Sequence, residues 1–202
     1  MGTKLVFCVA FFLLVGRQGF ADSYVMSSRT ACVDVTRQGW HARPPKSTSP
    51  LNTPVGMVFI HHSAMMRCSD VNTCAAQVRA IQNFHMDVRG WDDIGYSFLV
   101  GEDGNVYEGR GWDRIGAHTY GYNDVAIGIC VMGDFTTVTP NTQALDAVKN
   151  LIACGVRDSK VTTDYKLYGH RDSKKSHTEC PGQAFYDLIR GWPHYDTHGP
   201  PP

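Results

Sequence analysis

The sequence predicts a single α/β domain. Short, apolar, β-rich runs alternate along it with segments whose apolar residues recur at helical spacing. Several of those runs end on histidine, as strands do when they deliver a site to a sheet edge. Residues 22–202 also suffice for one hydrophobic core but are short for two.

Residues 1–21 come first. Lys4, an apolar run from Leu5 to Val15 and the small residues Gly19 and Ala21 form the pattern of a cleaved signal peptide. That run is roughly half of the ~20 residues a spanning helix needs, so a secreted protein without a membrane anchor is expected. The domain is expected over 22–192. It opens with a polar, irregular arm around Trp40 and Pro44-Pro45.

Met57-Val58-Phe59-Ile60 reads as a buried strand ending in His61-His62. Val71, Cys74, Ala75, Val78, Ile81 and His85 lie at helical spacing after the candidate caps Ser69 and Asp70, predicting a helix over 71–87. Residues 96–100 and 105–107 form a hairpin across Glu102-Asp103-Gly104. The run 126–132 is apolar on both faces and belongs in the sheet centre. Thr139-Pro140 starts a helix that continues to about Arg157. A short strand, 166–168, ends at Gly169-His170, and a last helix follows Pro181-Gly182. Residues 193–202, rich in Pro, His and Gly, read as a flexible tail.

Basic and acidic residues number 19 each, and two of the cations, Lys4 and Arg17, belong to the leader. A near-neutral balance excludes broad electrostatic capture of nucleic acid or an anionic membrane. The glycines near Gly101 and Gly109 fall on hairpins, which excludes a nucleotide loop.

Past the leader stand Cys32, Cys68, Cys74, Cys130, Cys154 and Cys180, for which three disulfides have fifteen pairings. Their settings favour two bridges, with Cys130 inert in a core strand and Cys180 a thiolate ligand. His61, His170 and Cys180 each sit at a strand end or in the loop after one. Imidazole and thiolate suit Zn²⁺, and three protein ligands leave the fourth position that a catalytic site keeps open.

Longer strings surround these residues: Gln38-Gly39-Trp40, Phe59-Ile60-His61-His62-Ser63-Ala64, the run 90–98 from Gly90-Trp91 to Phe98, and Val106-Tyr107-Glu108-Gly109-Arg110-Gly111-Trp112. Gly116-Ala117-His118, Tyr122-Asn123, Ile127-Gly128-Ile129, Gly169-His170-Arg171-Asp172 and Thr178-Glu179-Cys180-Pro181-Gly182 follow in order. By these the chain resembles the short, secreted peptidoglycan recognition proteins and, more distantly, type-2 amidases of phages and bacteria.

The resemblance implies a central mixed sheet flanked by helices, with a groove for a bacterial muramyl peptide above Zn²⁺. It implies hydrolysis of the bond between the N-acetylmuramoyl lactyl group and L-alanine in innate antibacterial defence, or peptidoglycan binding without cleavage. His61, His170 and Cys180 match the metal ligands, Tyr96 the catalytic tyrosine, and Thr178 a hydroxyl beside the metal. Non-catalytic members commonly lack the cysteine, so Cys180 favours an enzyme. His62, Trp91, His118, Tyr122 and Asn123 fall in groove-lining strings, and Arg114 offers a bidentate contact to a stem carboxylate. The pairings implied are Cys32 with Cys154 and Cys68 with Cys74. One departure is the spacing: Cys180 stands ten positions after His170 where the family has eight, which places His177 three positions before Cys180, to compete as a ligand or line the groove, with His170 at its strand end the better-held ligand.

Overall fold

Strand β1 (Val55–His62) lies between two parallel neighbours, β4 (Ala126–Val131) and β5 (Val161–Gly169). Beyond β4 come β2 (Phe98–Val100), parallel to it, and β3 (Val106–Glu108), antiparallel to β2. This computed structural model describes residues 31–202, and the leader expected at 1–21 lies outside them. Among the described residues the sheet is mixed, with strand order β3-β2-β4-β1-β5. Residues 126–132, expected in the centre, hold the middle place.

Strand alternation sorts the two faces. Val58 and Ile60 of β1, with Ile127, Ile129 and Val131 of β4, pack with residues of helix α2 (Thr142–Arg157) and helix α3 (Gln183–Ile189). Cys130 of β4 turns the other way, into a cluster with Cys74, Val78 and Ile81 of helix α1 (Val71–Asn83). Phe59 lies among Tyr122, Ala126 and Tyr168. His61 therefore emerges on the face of Phe59, and His62 on the opposite one.

Asp70 caps α1, its Oδ1 accepting from the amides of Asn72 and Thr73 at 3.0 and 3.1 Å. The expected continuation to residue 87 is present as a π-helical turn, Phe84–Val88, which buries His85 and Met86 and leaves Val88 exposed. The second long helix begins later than Thr139-Pro140. Asn141 is its cap, accepting from Ala144 N at 2.9 Å while its own amides bind Glu102. A side-chain acceptor at Asn141 satisfies the helix amides better than proline can.

Gly104, at φ +76, turns the β2–β3 hairpin in the backbone region that asymmetric side chains avoid. Disulfides join Cys32 to Cys154, pinning the N-terminal arm to α2, and Cys68 to Cys74; among the described residues Cys130 and Cys180 are free. Strand β5 is longer than residues 166–168, and its outer edge explains what becomes of the tail. Residues 193–202 run along it: Leu167 N donates to His194 O at 2.9 Å, Asp196 N donates to Leu167 O at 3.2 Å, and Pro200 is buried. An open strand edge presents unpaired backbone groups, and the tail satisfies them.

Candidate active site

His61 is the penultimate residue of β1, and His170 follows β5 in a single 3-10 turn, His170–Asp172. Because β1 and β5 are adjacent and parallel, both histidines reach the same sheet edge, with ring centroids 4.5 Å apart. Cys180 arrives from a distant loop. Its Sγ accepts from His62 N at 3.3 Å and lies 3.8 Å from His61 Nδ1.

The neck of the 171–180 loop is closed by Arg171. Its backbone N–H donates to Cys180 O at 2.9 Å, and its guanidinium reaches Glu179 O and, at 3.3 Å, the Glu179 carboxylate. His177 is exposed and stands outside the donor group formed by His61, His170 and Cys180, whose ligand atoms lie within 4.8 Å of one another.

Burial holds the His61 imidazole well below its ordinary pKa, with His170 and His118 acting in the same direction, and pushes His170 down to about 4. Both rings are neutral at physiological pH, as ligands must be. The Cys180 thiol is pushed up to about 12, again chiefly by burial. Only a cation between the three donors makes its thiolate favourable there. The 3.8 Å separation is close to the ~3.6 Å that tetrahedral bonds of ~2.0 Å to nitrogen and ~2.3 Å to sulfur subtend. Donor chemistry and spacing both fit Zn²⁺.

Behind His61 stands Thr119, fully buried, its Oγ1 3.3 Å from His61 Nε2 and 3.0 Å from His118 Nδ1. With His61 Nδ1 facing Cys180, its Nε2 carries the proton and donates to Thr119. The threonine hydroxyl is also within reach of the His118 ring, which hydrogen-bonds the Ala126 backbone as well. Burial, then His170, lowers the His118 pKa to about 3. Its ring covers Gly128 of β4, where a Cβ would overlap it.

Tyr96 precedes β2, its carbonyl accepting from Arg110 N at 2.9 Å and its ring 5.3 Å from that of His61. Burial, and after it the Cys130 and Cys180 thiols, hold the phenol well above its ordinary pKa, so it is a hydrogen-bond donor at neutral pH. Tyr96, His118 and His170 line a cleft of about 510 Å³ together with Trp91, His85 and Phe84, and the Tyr96 ring is next to both groups, 5.3 Å from that of His61 and 5.7 Å from that of His85. Trp91 lies over His85 at 4.6 Å, and His85 Nδ1 accepts from Gly95 N at 3.0 Å, fixing the chain just before Tyr96.

Other residues read from the sequence land elsewhere. His62 turns from the cleft, Nδ1 accepting from Phe135 N at 3.3 Å. Tyr122 is buried against Phe59, and its hydroxyl donates to Pro201 O at 2.7 Å. Arg114 donates to Arg110 O at 2.6 Å and lines a separate hollow with Trp112 and Glu108. The structure places these three away from the cleft, by strand alternation for His62 and by loop packing for the others. Asn123 braces the wall, Oδ1 accepting from His118 N and Thr119 N at 2.8 and 2.9 Å. Thr178 Oγ1 accepts from Cys180 N at 3.1 Å. His85 and Thr119 went unread as site residues. Their signals were a histidine continuing an apolar helical stripe and a hydroxyl beside His118.

Residues 51–183 match the family model of N-acetylmuramoyl-L-alanine amidases. The chain is 44% identical over 160 residues to a mouse N-acetylmuramoyl-L-alanine amidase, covering 77% of this chain and 30% of that protein. It is 46% identical over 170 residues to Drosophila peptidoglycan-recognition protein LB, covering 82% and 72%. Among solved structures, the tracheal cytotoxin-bound ectodomain complex of peptidoglycan recognition proteins LCa and LCx superposes with a TM-score of 0.79 at 48% identity, covering 81% of this chain and 98% of that one. The chain spans 30% or less of the length of the mammalian amidases it matches.

Proposed function

The chain belongs to the N-acetylmuramoyl-L-alanine amidase family that includes the peptidoglycan recognition proteins, and from that premise we propose that it is a secreted, zinc-dependent amidase of bacterial peptidoglycan. The scissile bond in this reading joins the muramyl lactyl group to L-alanine. The observation that carries it is the convergence of His61, His170 and Cys180 into one donor group, of which His170 lines the cleft. Family members include binding proteins as well as enzymes, and a buried thiol placed between two neutral imidazoles serves a metal rather than a glycan. Cleavage of residues 1–21 and a domain over 22–192 complete the proposal, which places the protein in extracellular antibacterial defence.

Zn²⁺ held by these residues would supply Lewis acidity and a nucleophile from water at neutral pH. The chain's own groups do the rest. Thr119 fixes the His61 tautomer, so that Nδ1 presents its lone pair to the metal. As water adds to the lactyl carbonyl, negative charge develops on its oxygen. The protonated Tyr96 phenol, hydrogen-bonded to the Cys130 thiol with its ring beside His61, would turn to donate a hydrogen bond to that oxygen, an interaction stronger in the transition state than in the substrate. Thr178 keeps Cys180 in place through its backbone amide. Trp91 and His85 give the muramyl peptide an aromatic wall beyond the reaction centre.

The direct test is release of new L-alanine amino groups from purified peptidoglycan before and after chelation, and after zinc is restored. Activity lost to the chelator and regained with Zn²⁺ is expected. Wall binding with no release by the zinc-loaded chain overturns the amidase and leaves a peptidoglycan-binding protein.

A further inference from the structure

We propose that residues 193–202 are a strap that positions both histidine-bearing walls of the site, with Tyr195 as the positioning residue for His170. Its catalytic consequence rests on the amidase reading above; the positioning itself does not.

The strap leaves α3 at Trp192 and runs parallel to the outer edge of β5, where Tyr195 bridges Leu167. From there the Tyr195 hydroxyl lies 3.2 and 3.1 Å from the two oxygens of Asp172 and 3.0 Å from the Tyr186 hydroxyl. The same carboxylate accepts from the Tyr186 hydroxyl at 2.5 Å and from Gly169 N at 2.7 Å. Three donors from three parts of the chain thus meet on Asp172, the last residue of the turn that begins with His170. Hydrogen bonds to a carboxylate are charge-assisted and among the stronger ones a protein makes.

The need for such a clamp lies in His170 itself. Metal-binding histidines ordinarily donate their second nitrogen to a partner that fixes the ring. His61 has Thr119, but among the described residues nothing hydrogen-bonds the His170 ring. Its place is set by backbone and packing alone, so whatever stiffens Gly169–Asp172 sets the ligand. The other end of the strap reaches the second wall. Pro201 O accepts from the Tyr122 hydroxyl at 2.7 Å, and Tyr122 N donates to Thr119 O at 3.0 Å in the turn that carries His118 and Thr119.

The test uses Tyr195→Phe, which keeps the ring and removes the hydroxyl, and a chain ending at Trp192. Three readouts are compared with the parent: amide exchange without metal, Zn²⁺ affinity by chelator competition, and the absorption spectrum of the Co²⁺ form. Expected for Tyr195→Phe are faster exchange at the Gly169 amide, affinity weaker on the order of tenfold, and altered thiolate-to-cobalt bands, with kcat lowered and KM held. The truncated chain should add faster exchange in residues 118–123. Unchanged exchange, affinity and spectrum in Tyr195→Phe would overturn the proposal. A parent chain that binds no Zn²⁺ while exchange responds as expected sinks the amidase reading and supports the strap.

Discussion

The two ends of the cleft are built in different ways. The end holding His61, His170 and Cys180 stands on the edges of two adjacent parallel strands and the loop that brings Cys180, and its imidazoles are neutral. The end holding His85, Trp91 and Phe84 stands on a π-helical turn and the loop after it, with Phe84 and Val88 partly open to solvent. In the proposed amidase, chemistry that tolerates little displacement would sit where hydrogen-bonded strands set the spacing, and recognition, which tolerates more, on a turn. In such a division, damage at the first end should stop the reaction and spare binding, whereas damage at the second should do the reverse.

The sharpest way to break this contrast is Cys180→Ser. Removing the thiolate leaves two imidazoles, so Zn²⁺ uptake and amide hydrolysis should both fall below detection while a muramyl peptide still binds, as isothermal calorimetry would record. Loss of binding together with hydrolysis would mean that the two ends are one unit.

Tyr96→Phe should be next in size. It removes one donor to the developing oxyanion, and kcat is expected to drop by ~10²-fold with zinc content unchanged by atomic absorption. A fall confined to KM would move Tyr96 to the recognition end.

At that end, Trp91→Ala removes the ring lying over His85. We expect KM to rise about tenfold, which is ~1.4 kcal/mol, with kcat preserved because the lost contact serves substrate and transition state alike. A change in kcat alone would be the contrary result.

An effect on stability rather than on turnover is shared by both ends and appears as pH dependence of the metal-free chain. Burial lowers His118 to about 3 and His85 to about 4. Below the ordinary value of 6.5 the unfolded chain takes protons that the folded chain refuses, so stability is whole above that pH and is lost as pH falls. Each group contributes up to ~1.4 kcal/mol per pH unit between its two pKa values. Urea unfolding at pH 7 and pH 5 measures this, and His85→Gln should flatten the slope by one group's share.

Much of this site could be read without coordinates, though unevenly. His61 and His170 end apolar strand runs, and Cys180 stands in a string of its own, so the donor set could be named from local pattern. Trp91 and His118, named from the same kind of string, do line the cleft. Tyr122 came from an equally good string and packs beneath Phe59 instead. A string records that a residue matters to the fold's region; it does not say which way the side chain points out of a loop. His85 is the converse case. Its helical spacing marked it as buried, and the π-turn brought that buried ring into the cleft wall.

By itself, then, the sequence determined the α/β class, the central strand and the three donors, because strand and helix periodicities and residue chemistry are local. Only the tertiary structure decided the rest. The neck at Arg171 ties the loop before Cys180 to the turn that carries His170. Loop packing took Arg114 out of the cleft. The tail found the open edge of β5 and, through Tyr195, the carboxylate beside His170. Each of these depends on contacts between segments far apart in the chain, which form only once parallel strands have fixed their register, and no local pattern encodes that.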